Sequence, residues 1–197
     1  MVNTSFSCLC TLDPNFSFVP RWKPPFVSQV ARGDRCHLNG MAMANGLPRY
    51  VTCFGQTDSK EGWRENKLNG GCVVDVASGE TVAPGFAMPH SPRLHDGKLW
   101  LLDSGRGRLV TVDVDSGTTQ TIIELPGYTR GLAFAGRYAL IGLSKIRETA
   151  VFGGVPVEEK YPDRPCGVAV VDTVAGTLVG SIEFLGSVRE IFDVQLL

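Results

Sequence analysis

The chain has 197 residues, 43% of them hydrophobic and 20% charged, with a formal net charge of −1. That is the make-up of an ordinary globular protein, long enough for one good core or two small ones. Near-neutral charge without a basic tract argues against non-specific nucleic-acid binding, and no apolar run approaches the ~20 residues that cross a bilayer. The opening "MVNTSFSCLC" has no basic stretch ahead of a long apolar one, so no signal peptide is expected.

The cysteines (Cys8, Cys10, Cys36, Cys53, Cys72 and Cys166) form no Cys-x-x-Cys pair. Their scatter matches neither a small disulfide scaffold nor a structural zinc site. Reduced thiols in a cytoplasmic protein are expected.

In chain order, "MVNTSF", "CLCTLD" and "FSFVPRW" read as three short strands. A unit beginning near Leu38 follows. In it "MAMANGLPRYVTCFG" gives a strand, an Asn45-Gly46 turn and a second strand. After a long insertion, "VVDVASGET" (Val73–Thr81) gives a third strand and a turn from Asp75 to Gly79. The unit near Pro92 repeats the pattern, with Asp96-Gly97 as its first turn and "TVDVDSGTT" (Thr111–Thr119) as its second. The unit near Gly131 has Ala135-Gly136 and "VVDTVAGTL" (Val170–Leu178). Asp75, Asp113 and Asp172 therefore occupy equivalent places, as do Gly79, Gly117 and Gly176. Glycine supplies the positive φ such a turn needs, and the aspartates are expected to bond turn backbone rather than calcium. One more strand, "EIFDVQLL", ends the chain.

With the strand that follows each Asp-containing turn, every unit holds four antiparallel strands over roughly 40–50 residues, the period of a propeller blade. Helical spacing of apolar residues is rare, while alternation and glycine punctuation recur. The expected fold is all-β: a β-propeller of four-stranded antiparallel blades, about four of them present, forming a segment of a larger propeller. The chain reads as one domain over 1–197, with a partial blade at 1–35 and blades at about 36–87, 88–127 and 128–186. A closing or next-blade strand is expected at 187–197. Exposed edge strands would favour self-association.

At "DRCHLNGMAM", "GWRENK", "MPHSPR", "GYTRGLAFAGRYALIGLSKIRE" and "EIFDVQLL" the sequence resembles a family of bacterial conserved hypothetical proteins, a domain of unknown function read as a β-propeller. The likeness spans nearly the whole chain. It implies a propeller and, because family members extend further at both ends, an internal segment of one. It carries no catalytic role.

Successive connections of a meander emerge on alternate sides of the sheet. The short turns named above share one face. The connections from second to third strands, and those leading into each first strand, share the other. Two long insertions fall there: Gly55–Gly71, with Trp63, Arg64 and Lys67, and Ser144–Gly167, with Lys145 and Arg147. The approaches to the first strands carry His37 and Asn39, then His90, Ser91 and Arg93, then Arg130, then Glu190 and Asp193. His37, Asn39, His90, Ser91, Glu190 and Asp193 would form a polar ring at the axis.

Arginine grips carboxylate or phosphate in a bidentate fork, and an indole offers a stacking surface. The leading expectation is a site for a small anionic or polar molecule, or a peptide, built from Trp63, Arg64, Lys67, Arg93, Arg130, Lys145 and Arg147. No cofactor is required. One alternative is a metal-dependent hydrolase or lactonase whose axial divalent cation is held by His37, His90 and Glu190. Another is a protein-interaction platform anchored by Phe26, Phe86, Tyr128, Phe152 and Tyr161. Enzymatic activity stays open between these. Ser91 with His90, and Cys36 with His37, are not nucleophile–base pairs, because neighbours in extended chain point to opposite sides. "LDSGRG" lacks the setting of a hydrolase nucleophile, and "GRGR" is too short for a dinucleotide loop.

Overall fold

Strands make up nearly all the regular structure of the computed structural model, which describes residues 1–145 and 151–197. The first sheet has three strands, β1 (Val2–Asn3), β2 (Cys8–Thr11) and β3 (Val19–Trp22). Three four-stranded sheets follow, each antiparallel and in sequence order. They are β4 (Leu38–Ala44), β5 (Leu47–Cys53), β6 (Gly71–Asp75) and β7 (Thr81–Phe86); β8 (Pro89–His95), β9 (Lys98–Asp103), β10 (Arg108–Val112) and β11 (Thr119–Glu124); and β12 (Tyr128–Ala135), β13 (Tyr138–Ser144), β14 (Gly167–Asp172) and β15 (Thr177–Glu183). The protein is all-β. Among the described residues no helix is long and apolar enough to cross a membrane.

Local chemistry explains the turns. Asn45 and Gly46 both take positive φ (52° and 77°), as do Asp96 and Gly97 (47° and 71°), the pattern of a tight hairpin whose twist suits its strands. The third hairpin turns one residue later than the sequence suggests. Ala135 pairs with Tyr138, so Gly136-Arg137 is the turn, and only Gly136 needs positive φ. The three equivalent aspartates act alike. Asp75 Oδ1 accepts the Ala77 and Ser78 amides at 2.8 and 3.2 Å, Asp113 those of Asp115 and Ser116 at 3.0 and 2.9 Å, and Asp172 those of Val174 and Ala175 at 3.1 and 3.2 Å. The Ser116 and Ala175 amides foremost hold the Asp113 and Asp172 carboxyls below the usual carboxylate range.

Apolar alternation on central strands builds the core between successive sheets. On β9, Leu99 and Leu101 pack with Tyr50, Val73 and Ala83 of the second sheet, while Trp100 and Leu102 pack with Leu132, Ile141 and Ala169 of the fourth. A strand buried on both faces reads as a continuous apolar run, which is why "LWLL" does not alternate. The first sheet joins the second through Leu9, Val27, Leu38 and Val51. Cys36, Cys53 and Cys72 lie in the same cluster, and all six cysteines are buried and unpaired. Beyond the fourth sheet nothing continues this packing among the described residues, and Leu178, Val179 and Ile182 on β15 are exposed.

One further expectation is corrected here. Residues 187–197 form no strand; the segment lies along β12 and is pinned to the end of β13 by Lys145 N–H to Arg189 O (2.8 Å) and Ile191 N–H to Ser144 Oγ (2.8 Å). A strand needs a ladder partner, and among the described residues the segment pairs with no strand. The long second insertion also holds one helical turn, α1 (Pro156–Lys160), begun by a proline whose missing N–H costs nothing there.

Candidate functional site

First strands run side by side through the molecule: β4 packs on β8 and β8 on β12. Close contacts repeat along this row. The Gly131 N–H donates to Ser91 Oγ at 3.0 Å, and a Cβ on Gly131 would come within 2.6–2.8 Å of backbone at Asp193 and Val194. The row ends at a cleft of about 420 Å³ on the side bearing both long insertions. Arg130 and Lys145 are its cations and Glu190 its carboxylate. His37 and His90 contribute imidazoles, and Phe54, Tyr128, Phe152 and Phe192 give aromatic surface.

His37 is held from three sides. Its φ of 49° turns the chain sharply before β4, and its Nδ1 lies 2.7 Å from Asp34 Oδ2. Its ring stacks on Phe54 at 4.2 Å and meets Trp63 at 4.6 Å. Trp63 in turn donates its indole N–H to the same Asp34 oxygen at 3.2 Å. Trp63 is only 2% exposed and lies behind His37, outside the cleft lining. It supports the wall and is not a stacking surface for a ligand, because its hydrophobic bulk is buried with Phe54, Met88, Tyr128, Val155 and Val157.

His90 is buried on β8. Its Nδ1 lies 3.1 Å from the Met88 carbonyl and 3.1 Å from Ser104 Oγ, with the Tyr128 hydroxyl at 3.4 Å. Burial keeps its imidazole well below the ordinary value, and the Arg130 charge and then His37 push the same way. Burial likewise pushes the Tyr128 phenol up.

Arg130 lies over the Phe192 ring at 4.1 Å. Among the described residues neither Arg130 nor Lys145 forms an ion pair with a carboxylate. Other expected ligand-binding residues are placed elsewhere. Arg64 pairs with Glu61 at 2.9 Å over the Trp63 ring, and Arg93 with Asp193 at 3.2 Å. Lys67 donates to the carbonyls of Val151 (3.3 Å) and Gly153, tying the two insertions together. Arg147 lies outside the described residues. Within the expected polar ring, Asn39 bonds the Pro89 carbonyl and Thr52, and Ser91 bonds Gly131. Only His37, His90 and Glu190 of that ring reach the cleft.

Sequence reasoning missed Asp34, Phe54 and Phe192. Asp34 stands three residues before His37, a spacing that lets it orient the ring, and this was its only signal. Of the aromatics proposed as exposed anchors, Phe86 and Tyr128 are buried. Among the described residues no group of three His, Cys, Asp or Glu side chains is arranged to hold a metal ion. A larger groove, about 560 Å³, lies on the turn face, but its Arg49 is bonded to Asp75 and its Asp113 to turn amides. It has no imidazole and fewer aromatic groups, so the chemistry gathers in the smaller cleft.

Two computationally designed proteins are similar in structure. Ika4 matches at 14% identity and a TM-score of 0.48, over 82% of this chain and 81% of its own. Ika8 matches at 13% identity and a TM-score of 0.49, over 87% of this chain and 42% of its own. No curated protein matches. The family model for a domain of unknown function, DUF4915, matches residues 1–197, and the chain belongs to that family.

Proposed function

We propose that the cleft binds a small organic anion, and that the four sheets are blades of a propeller, a segment of a larger one, whose central row of first strands ends at that site. The single observation behind the binding reading is that Arg130 and Lys145 face one aromatic-lined cleft with no ion pair of their own among the described residues. A cation without a partner beside apolar surface is a ready donor for carboxylate or phosphate. The repeated contacts of β4, β8 and β12 support the blade reading.

Thermal-shift titration with carboxylates and phosphates tests it. The native protein is expected to be stabilised, and Arg130→Ala to weaken the apparent affinity about tenfold or more. Arg93→Ala, which removes an arginine bonded to Asp193 outside the cleft, is expected to leave it within about twofold. No response to any anion, or equal responses in both variants, would overturn the reading.

His37, His90 and Glu190 line the same cleft, so a divalent cation held by them is the second reading, although their present arrangement is not that of a metal site. Under it, purified protein carries a stoichiometric ion that His90→Asn releases. Under the organic-anion reading, metal analysis finds neither.

A further inference from the structure

We infer that the cleft selects an aromatic carboxylate bearing a hydroxyl group, with Arg130 and Lys145 holding the carboxylate and His90 Nε2 accepting a hydrogen bond from the hydroxyl. This rests on the anion-binding reading above and names the ligand class within it.

The tautomer of His90 follows from its neighbours. A carbonyl only accepts, so the Met88 oxygen 3.1 Å from Nδ1 places the ring proton on Nδ1. Ser104 Oγ donates to the Leu102 carbonyl at 3.3 Å, so it too accepts from Nδ1. The ring's lone pair therefore sits on Nε2, and among the described residues no donor reaches that atom. Burial foremost, then the Arg130 charge and His37, hold the His90 imidazole well below its ordinary value, which favours the neutral ring and leaves Nε2 as an acceptor. Such an acceptor discriminates, because a ligand lacking a donor leaves it without a partner inside the complex.

The remaining surface specifies the rest of the ligand. Phe152 and Phe192 are 36% and 67% exposed and stand at the mouth of the cleft, while Phe54 and Tyr128 are buried at its base. Flat aromatic walls favour a flat ring. Phe192 covers one face of the Arg130 guanidinium and leaves its N–H edge for a carboxylate fork.

Isothermal titration of the intact chain with acetate, inorganic phosphate, benzoate and the three hydroxybenzoate isomers tests the inference. Benzoate is expected to bind about tenfold or more tighter than acetate. At least one hydroxybenzoate is expected to bind about fivefold tighter than benzoate. In His90→Asn the amide nitrogen can still donate to Met88 but nothing stands at Nε2, so the gap between benzoate and that isomer should close. If all three isomers match benzoate in the native protein, the hydroxyl acceptor is overturned, and this needs no variant to fold. If benzoate matches acetate or phosphate, the aromatic class is overturned while anion binding stands. If nothing binds, the anion reading itself fails, and this inference with it.

Discussion

Replacing Trp63 with alanine is expected to destabilise the fold by about 3–5 kcal/mol, the range for removing a large aromatic side chain from a packed interior. The indole packs with Phe54, Met88, Val155 and Val157, and it joins the first insertion to the second by stacking on Phe152 at 6.1 Å. Its loss also removes the 3.2 Å bond to Asp34 Oδ2, a carboxylate whose Oδ1 is already buried without a partner among the described residues. Since Asp34 and Trp63 both hold His37, anion affinity should fall with stability. Arg64→Ala serves as the comparison: Arg64 is half-exposed, pairs with Glu61 and lies over the Trp63 ring at the surface, so a change within about 0.5 kcal/mol is expected. Denaturant unfolding at constant m-value measures both. A loss below 1 kcal/mol for Trp63→Ala would mean that the insertions are not packed as described.

Acid should weaken the native protein partly through His90. In the unfolded chain an imidazole titrates near 6.5, whereas the folded protein holds His90 well below that, chiefly by burial. Between those two values the unfolded state binds a proton that the native state does not. Stability from this residue is therefore complete above pH 6.5 and falls as pH drops towards the folded value, by at most about 1.4 kcal/mol per pH unit. Urea unfolding at pH 7 and pH 5 should show His90→Asn losing less stability than the native protein over that interval, by up to about 2 kcal/mol. Carboxylates contribute equally to both proteins and cancel in the comparison. Parallel losses would show that His90 is charged in the folded state.

Turn chemistry made much of this fold legible. Asn45-Gly46, Asp96-Gly97 and the three Asp-to-Gly turns each announce a reversal through residues that tolerate positive φ or bond their own backbone, and the structure uses them that way. Gly136 misled by one position because a single glycine can serve either half of a two-residue turn. The site was legible only as a side of the molecule. His37, His90, Arg130, Lys145 and Glu190 do meet in one cleft, but Trp63, Lys67 and Arg93 carry the same residue types and serve packing or bonding within the chain. Which cations are already engaged depends on contacts as distant as Arg93 to Asp193 or Lys67 to Val151. Local sequence does not encode them. Nor does it encode Phe54, whose role arises only when His37 folds over its ring.

The bond from Lys67 to the Val151 and Gly153 carbonyls makes the mouth of the cleft a joint product of two segments more than eighty positions apart. Neither loop is a self-standing cassette. A chimera that imports one from a relative without its companion would strand an ammonium group on one side and backbone oxygens on the other. Any redesign of selectivity in this protein has to exchange the two loops as a matched set.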